Sequence, residues 1–310
     1  MKIDIISGFL GAGKTTLIKK LIENKSKNEK LAIIENEFGD VSIDGDILKG
    51  PNIDIKEISS GCICCSIAGD FESSISELVK KYNPDRLIIE PSGVAKLSEI
   101  VNSIKQTSNK FNSNISFIIT VIDVSNFDMY LDNFGEFYIN QISNANTIVC
   151  TRVDLIDEHT LKSVVGKIRK LNKDADIIQI PIQELDGKLI SDIASKKYEN
   201  NNSTCKKNLK IGSRIKKIST RADKVFDSFG VITQKKFCKD ELDKIFMRFK
   251  NDEYGIILRG KGFVIDNNGK WLEFHYTPGQ FIVKNSITHK ESKISIIGEK
   301  IDKERLKLLF

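Results

Sequence analysis

Residues 8–15 read GFLGAGKT, and this segment constrains the fold more than any other part of the chain. It fits the pattern G-x-x-x-x-G-K-[ST] in full, and it lies between an apolar run and a helical pattern that starts at Thr15. Glycines allow backbone N–H groups to point inward around phosphate oxygens at the positive end of a helix dipole. The segment therefore predicts the phosphate-binding loop of a nucleoside triphosphatase.

The loop pattern gives roles to individual residues. Lys14 supplies a positive charge for the β- and γ-phosphates, and the Thr15 hydroxyl supplies a ligand for Mg²⁺. The remaining predicted nucleotide contacts in this segment come from Gly8, Gly11, Ala12, Gly13 and Thr16.

Apolar runs alternate with helical patterns over the first 185 residues, which favours an α/β fold with helices on both faces of a mainly parallel sheet. The predicted strands are Ile3–Ser7, Leu31–Glu35, Arg86–Glu90, Ser116–Asp123, Thr147–Thr151 and Ile177–Pro181. The predicted helices are Thr15–Glu23, Phe71–Tyr82 and Asp157–Leu171. Ligands of such sheets bind at the carboxyl ends of the strands.

The composition changes after Ile193. Residues 195–221 are rich in Lys, Asn and Ser, which predicts a basic polar linker between a P-loop domain at 1–194 and a small α+β domain at 222–310. In the second domain we predict strands at Val225–Gln234, Gly255–Asp266, Lys270–Val283 and Lys293–Ile297, and helices at Lys239–Phe249 and Asp302–Leu309. The sequence DNNG at residues 266–269 predicts a hairpin turn.

Charge and apolar patterning exclude several classes of protein. No apolar stretch approaches the roughly 18 residues that span a bilayer, and the N-terminus lacks a signal-peptide pattern, so we expect a cytoplasmic protein without a membrane partner. The net charge is +6, but the segment from Lys196 to Lys224 alone holds ten Lys or Arg residues against two acidic ones. We interpret this segment as a solvated linker, and we do not expect a nucleic-acid partner.

Two predicted strands end in an acidic residue. Glu90 is followed by a glycine at Gly93, and this E-x-x-G pattern predicts a switch in which the carboxylate holds a water on Mg²⁺ and the Gly93 N–H senses the γ-phosphate. A capped strand-to-helix turn is the structural alternative. Asp123 ends another predicted strand, where a cap is the common role and a contact near Mg²⁺ is the alternative.

Residues 151–154 read TRVD and follow a predicted strand, which is the position of a guanine-reading [NT]-K-x-D motif. A carboxylate at Asp154 can accept both N1–H and N2–H of guanine, whereas adenine has neither donor and leaves the carboxylate unpaired. Arg152 replaces the usual lysine, and its guanidinium can still lie across the base. Thr151, Arg152 and Asp154 therefore predict a preference for GTP.

Four motifs in order resemble the CobW family of metallochaperone GTPases, which belong with HypB and UreG among the SIMIBI-class P-loop proteins. They are GFLGAGKTT from residue 8, IENEFGD from residue 34, GCICC from residue 61 and EPSG from residue 90. The resemblance covers most of residues 1–185, and residues 222–310 are similar to the family's smaller C-terminal domain. The resemblance implies GTP hydrolysis, with Lys14, Glu90 and Gly93 as the catalytic residues.

The cysteine motif predicts a metal site. Cys62, Cys64 and Cys65 cannot all bind one ion in a relaxed loop, so a tetrahedral Zn²⁺ site needs further ligands. The resemblance implies Glu35 and Asp40, which match positions that contribute to a metal site with the middle cysteine in relatives. Asp40 is one methylene shorter than the usual Glu, which leaves its direct ligation open. Buried structural cysteines and a redox disulfide are the alternatives.

These patterns together predict a GTP-binding protein with slow GTPase activity that couples the transfer of Zn²⁺ or Co²⁺ to GTP hydrolysis. Its partner would be a client metalloprotein or cofactor enzyme, and a homodimer stays an open alternative. Two other functions are also open: an accessory protein for a corrinoid or other metallo-cofactor enzyme, and a metal store or sensor in which the nucleotide is structural.

Overall fold

The computed structural model describes residues 1–23, 29–36, 53–58, 68–204, 222, 225–251 and 253–310. Strands and helices alternate over the first part of the chain, as the apolar pattern predicts. The strands β1–β7 are Lys2–Gly8, Leu31–Asn36, Ile53–Ile58, Arg86–Glu90, Asn114–Asp123, Thr147–Thr151 and Asp176–Ile178. The helices α1–α6 are Lys14–Glu23, Ala68–Tyr82, Leu97–Ser108, Phe127–Ser143, Glu158–Leu171 and Gly187–Thr204.

Among the described residues, seven strands form the first sheet, in the order β3-β2-β4-β1-β5-β6-β7. Every neighbouring pair in this sheet is parallel. The central strands are buried on both faces, which is why they appear in the sequence as continuous apolar runs. Ile88 packs with Leu17 of α1 and Ile190 of α6, whereas the next residue, Ile89, packs with Leu78 of α2 on the opposite face. The predicted α/β fold with helices on both faces is therefore confirmed.

A second sheet follows in the chain. Its strands β8–β12 are Asp227–Thr233, Ile256–Ile265, Trp271–Thr277, Gln280–Asn285 and Ser292–Glu299, and its helices α7 and α8 are Lys239–Arg248 and Lys303–Leu309. The strands are antiparallel in the order β11-β10-β9-β12-β8. One face packs on α7 and α8 through an aromatic core that contains Phe246, Phe274 and Leu306.

The turn geometry confirms the predicted hairpin in the second domain, and a side-chain cap begins its last helix. The hairpin between β9 and β10 turns at Gly269, which has φ 78° and donates its N–H to the Asp266 carbonyl at 3.1 Å. Asp302 caps α8, since its carboxylate accepts the Arg305 N–H at 3.0 Å.

The structure also differs from the predicted elements. Strand β3, with the sequence IDIKEI, lies at the sheet edge and alternates isoleucine with charged residues, so it does not read as a buried run. Helices α3, α4 and α6 were not predicted. Helix α6 continues to Thr204, so residues 195–204 of the predicted linker are helical. The predicted strand at 270–283 is two strands, β10 and β11, which meet at Pro278 and Gly279.

The two sheets share an apolar cluster. Phe226 precedes β8 and packs between Phe134 and Phe137 of α4, with ring centroids 5.3 and 5.2 Å away. Leu258 of β9 and Ile297 of β12 belong to the same buried cluster. The second sheet is thereby held against the first domain. None of the helices in the described ranges is both long enough and apolar enough to span a membrane.

Candidate functional site

The phosphate loop joins the end of β1 to the start of α1. Gly11 has φ 68°, a left-handed conformation that L side chains rarely adopt, and a Cβ on it would lie 2.2 Å from Cγ2 of Thr277. Lys14 is buried, and its Nζ donates a hydrogen bond to the Phe9 carbonyl at 3.2 Å. The lysine therefore folds back over its own loop, in the place where phosphates would bind.

Glu90 ends β4 beside the start of α1. Thr15 Oγ1 lies 3.4 Å from both oxygens of the Glu90 carboxylate, and Lys14 Nζ lies 3.8 Å from Oε1. Glu90 is 6% exposed, so its charge interacts with these partners in a region of low dielectric constant. The structure thus brings together Lys14, Thr15 and Glu90, as the sequence predicts.

Gly93 packs directly on the phosphate loop. A Cβ at this position would lie 2.8 Å from the backbone N of Leu10, so only glycine fits without a shift of one of the two backbones. Gln141 of α4 donates from Nε2 to the carbonyls of Gly93 at 3.0 Å and Ala95 at 2.9 Å. Gln141 is fully buried in a helix whose inner face is otherwise mostly aromatic and aliphatic. Gln141 was not predicted from the sequence because no motif contains it.

Thr151 and Arg152 fasten the phosphate loop. Thr151 Oγ1 donates to the Ala12 carbonyl at 2.8 Å, so this hydroxyl holds the loop backbone. Arg152 has φ 58° and is ion-paired with the buried carboxylate of Asp123. Its Nη2 also donates to the Gly11 carbonyl at 3.1 Å and to Thr277 Oγ1 at 3.3 Å. Arginine can reach three acceptors in this way because its guanidinium has several N–H donors in a plane.

Asp123 has the first of the two roles that the sequence left open. It caps the short 3-10 turn Val124–Asn126, accepting from the Ser125 backbone N–H at 3.0 Å and from Asn126 Nδ2 at 2.8 Å. It is also ion-paired with Arg152. The predicted cap is confirmed, and the ion pair links the carboxylate to the phosphate loop through the arginine.

A pocket with a volume of about 510 Å³ lies over the phosphate loop. Asp154 sits at its edge on a 3-10 turn, with an exposed side chain. Ile182 and Gln183, from the loop after β7, also line the pocket. Neither residue was predicted from the sequence, although ligands of parallel sheets bind at the carboxyl ends of strands, where their loop lies. The first-domain residues that line the rest of the pocket are Gly11, Ala12, Gly13, Lys14, Thr15, Thr16, Lys19, Glu90, Thr151, Arg152 and Leu155.

Only part of the predicted metal site lies within the described residues. Glu35 is 2% exposed near the end of β2, and the parallel register of β2 and β4 places it beside Glu90. Asp40, Cys62, Cys64 and Cys65 lie outside the described residues. Among the residues that are described, no three His, Cys, Asp or Glu side chains are grouped so that they could hold a metal ion. The cysteine site stays a prediction.

Comparison with protein families gives one match over most of the first domain. Residues 2–179 match the model described as the CobW/HypB/UreG nucleotide-binding domain. That range contains the phosphate loop, Glu35, Glu90 and residues 151–154.

Similar proteins include two curated zinc chaperones. The zinc chaperone CobW of Sinorhizobium sp is 33% identical over 192 residues, which cover 53% of this chain and 54% of the relative. The zinc chaperone YeiR of Escherichia coli strain K12 is 29% identical over 192 residues, which cover 61% of this chain and 58% of the relative. The matched part therefore spans little more than half the length of these relatives. Among solved structures, the Zn(II)-bound YjiA GTPase from E. coli aligns with 100% of this chain and 98% of that chain, at 20% identity and a TM-score of 0.47.

Proposed function

Because the chain belongs to the family of CobW/HypB/UreG nucleotide-binding domains, we propose that it hydrolyses GTP and uses the nucleotide cycle to bind and release a transition metal, with Zn²⁺ as the cargo. The observation that carries this proposal is the position of Glu35 beside Glu90. One carboxylate belongs to the segment with the predicted metal ligands, and the other touches the phosphate loop. The relatives named zinc chaperones support zinc as the cargo.

The residues at the loop fit Mg²⁺, which prefers oxygen ligands and keeps several waters. The Thr15 hydroxyl would bind the ion directly, and the Glu90 carboxylate, 3.4 Å from that hydroxyl, would hold one of its waters. Bound Mg²⁺ neutralises charge on the β- and γ-phosphates. The Thr15 hydroxyl and the Glu90 carboxylate already lie next to each other, as these two roles require.

The protein's own part in hydrolysis is positioning and charge neutralisation. Lys14 is held over the loop by the Phe9 carbonyl, and it would move from that carbonyl to the phosphates. Gln141 holds the Gly93 carbonyl, and Gly93 itself packs against the Leu10 backbone of the phosphate loop. The Gly93 N–H would respond to the γ-phosphate from this position in the chain.

Base selection would come from Asp154 at the pocket edge, with Lys19, Leu155, Ile182 and Gln183 around the base. Arg152 would contribute to base selection only indirectly, because its guanidinium pairs with Asp123 and donates hydrogen bonds to the Gly11 carbonyl and Thr277. We infer that it shapes the phosphate loop and that guanine is recognised through the Asp154 carboxylate.

Metal binding would be coupled to nucleotide binding through Glu35 and Glu90, which lie at the ends of the neighbouring strands β2 and β4. Two carboxylates on adjacent parallel strands repel each other, so a cation bound by one lowers the cost of charge on the other. Zn²⁺ held by Glu35 and the predicted thiolates would thereby alter the electrostatic environment of Glu90. Delivery of the metal to a client metalloprotein is the corresponding proposal for the partner.

Two variants test the two halves of this function. Lys14→Ala removes the loop cation, and we expect loss of GTP hydrolysis with unchanged circular dichroism; hydrolysis at the wild-type rate would contradict the nucleotide assignment.

Glu35→Gln removes a predicted metal ligand at nearly constant volume, and we expect weaker Zn²⁺ binding in a chelator competition. Unchanged Zn²⁺ affinity would remove Glu35 from the metal site.

A further inference from the structure

The pocket over the phosphate loop has a second wall, whose residues have no role in the function proposed above. This wall belongs to the second sheet, and its polar side chains include Arg259, Glu273, His275, Thr277 and Lys284. Glu273 accepts from Lys284 Nζ at 3.2 Å and lies 2.6 Å from His275 Nε2. Burial alone would raise the pKa of Glu273, but the hydrogen bond from His275 and the charge of Lys284 outweigh it and lower that pKa. Glu273 is therefore ionised.

A β-bulge directs Arg259 into this wall. Arg259 pairs with Ile297 of β12, but the next residue of β12, Gly298, pairs with Ile257, so Leu258 is an extra residue in β9. Bulges re-aim side chains, and they are common next to active sites. Here Leu258 enters the apolar cluster shared with the first domain, and the following residue, Arg259, lines the phosphate-loop pocket.

The neighbouring strand shows how close this position is to the loop. β9 and β10 are antiparallel and pair at Gly260 and Tyr276, so Arg259, which precedes Gly260, and Thr277, which follows Tyr276, lie at the same end of the two strands. Thr277 touches the loop directly, because its Cγ2 lies next to Gly11 and its hydroxyl accepts from Arg152. On the other neighbouring strand, Arg259 pairs with Ile297, which belongs to the apolar cluster shared with the first domain.

The charges of the first domain leave a role for a further cation. Lys14 lies 3.8 Å from the Glu90 carboxylate, and Arg152 is paired with Asp123. Each pairing reduces the positive field that the loop presents to a triphosphate. During hydrolysis, water adds to the γ-phosphorus as the bond from that phosphorus to the β–γ bridging oxygen breaks, which gives GDP, inorganic phosphate and a proton. Negative charge grows on the bridging oxygen in that step.

We propose that Arg259 of the second domain contacts the phosphates of bound GTP and stabilises the charge that develops during hydrolysis, a role that rests on the proposed GTPase function. The second domain would then complete the catalytic site. A guanidinium suits this task because it donates two parallel hydrogen bonds to phosphate oxygens and stays charged at all relevant pH values.

The test compares Arg259→Ala, Arg259→Gln and Arg259→Lys with the wild type in GTP turnover and in binding of GDP with aluminium fluoride, which mimics the transferring phosphoryl group. We expect the Ala and Gln variants to lose at least about tenfold in kcat, with a smaller change in GTP affinity. They should also lose more affinity for GDP with aluminium fluoride than for GDP alone, and Lys should retain part of the activity. Arg305→Ala is the matched control, since Arg305 is exposed on α8 and does not line the pocket.

The outcomes separate this inference from the proposed function. Wild-type kcat in Arg259→Gln and Arg259→Lys, with a hydrolysing wild type, would overturn the role of Arg259 alone. A wild type that neither hydrolyses GTP nor differs from Lys14→Ala would overturn the GTPase function, and the Arg259 role with it. If Arg259→Ala fails to fold, the Gln and Lys variants decide, because they keep most of the side-chain stem.

Discussion

At the residue scale, Glu90 lines the pocket over the phosphate loop, and Glu35 is its neighbour on the adjacent strand. Both are more than nine-tenths buried, and the strand register places them side by side. Burying two carboxylates next to each other costs free energy unless cations or hydrogen-bond donors compensate. Glu90 has Lys14 and Thr15 as partners. In the proposed function, this pair of carboxylates links the proposed nucleotide site electrostatically to the predicted metal ligands.

Asp154 carries the prediction on base choice. With two buried hydrogen bonds to guanine, we expect GTP to bind at least about tenfold more tightly than ATP, and Asp154→Asn to reduce that ratio. Competition between GTP and ATP for a fluorescent GDP analogue measures it. Asp174→Asn is the control, because Asp174 is also exposed but does not line the pocket. Equal affinities for GTP and ATP in the wild type would rule out guanine reading by Asp154.

Cys150 provides a test of thiol accessibility. It is fully buried in β6, and burial raises the pKa of its thiol to about 12. At pH 8 almost no thiolate forms, so we expect Ellman's reagent to leave Cys150 unmodified in the folded protein and to modify it after unfolding. Folded Cys150→Ala should therefore contain the same number of fast-reacting thiols as the folded wild type. One fast thiol fewer in the variant would show that β6 opens to solvent.

Contacts between individual residues were predictable where a sequence motif fixes both the residue and its neighbours. Lys14, Thr15 and Glu90 meet as expected because the loop pattern and the parallel sheet leave little freedom. The geometry of Thr151 and Arg152 was harder to predict, since their partners Ala12, Asp123 and Thr277 are distant in the chain. A motif gives no signal for such long-range contacts.

At the element scale, buried central strands were predictable and edge elements were not. Thr147–Thr151 matches β6 because both faces are buried and the run is wholly apolar or hydroxylated. β3 was missed because alternation with charged residues is the pattern of an edge. Helix α6 was not predicted, and its last turns fell in the predicted linker because they are rich in Asn and Ser, which have low helix propensity. The turn between β10 and β11 does have a signal, the Pro278-Gly279 dipeptide.

The contribution of the contact between β10 and the phosphate loop to stability can be measured through Thr277 and Arg152. Thr277→Val keeps the side-chain shape against Gly11 but removes the acceptor of Arg152. We expect the free energy of unfolding to fall by about 1–2 kcal/mol, because a buried hydrogen bond to a charged donor is lost. Urea unfolding of Thr277→Val, Arg152→Lys and the double variant measures the coupling in a double-mutant cycle. Strictly additive effects would show that the two side chains do not interact.

At the scale of the whole molecule, the nucleotide pocket joins the two domains. The first domain supplies the phosphate loop and Glu90, and the second sheet supplies the opposite wall through Thr277 and Arg259. Phe226, Leu258 and Ile297 hold the second sheet in place through the shared apolar cluster. We therefore propose that a change at the phosphates is transmitted both to the predicted metal ligand Glu35 on β2 and to the second domain.

The central claim is that nucleotide and metal binding are coupled. The direct measurement is Zn²⁺ titration of the apo protein by chelator competition, with a non-hydrolysable GTP analogue or with GDP, in the wild type and in Cys64→Ser. The account predicts that the Zn²⁺ affinity of the wild type differs at least about fivefold between the two nucleotide states, that Zn²⁺ changes the ratio of the two nucleotide affinities by the same factor, and that Cys64→Ser loses the site. Equal Zn²⁺ affinities in the two states would contradict it, and would favour a metal store in which the nucleotide has no switching role.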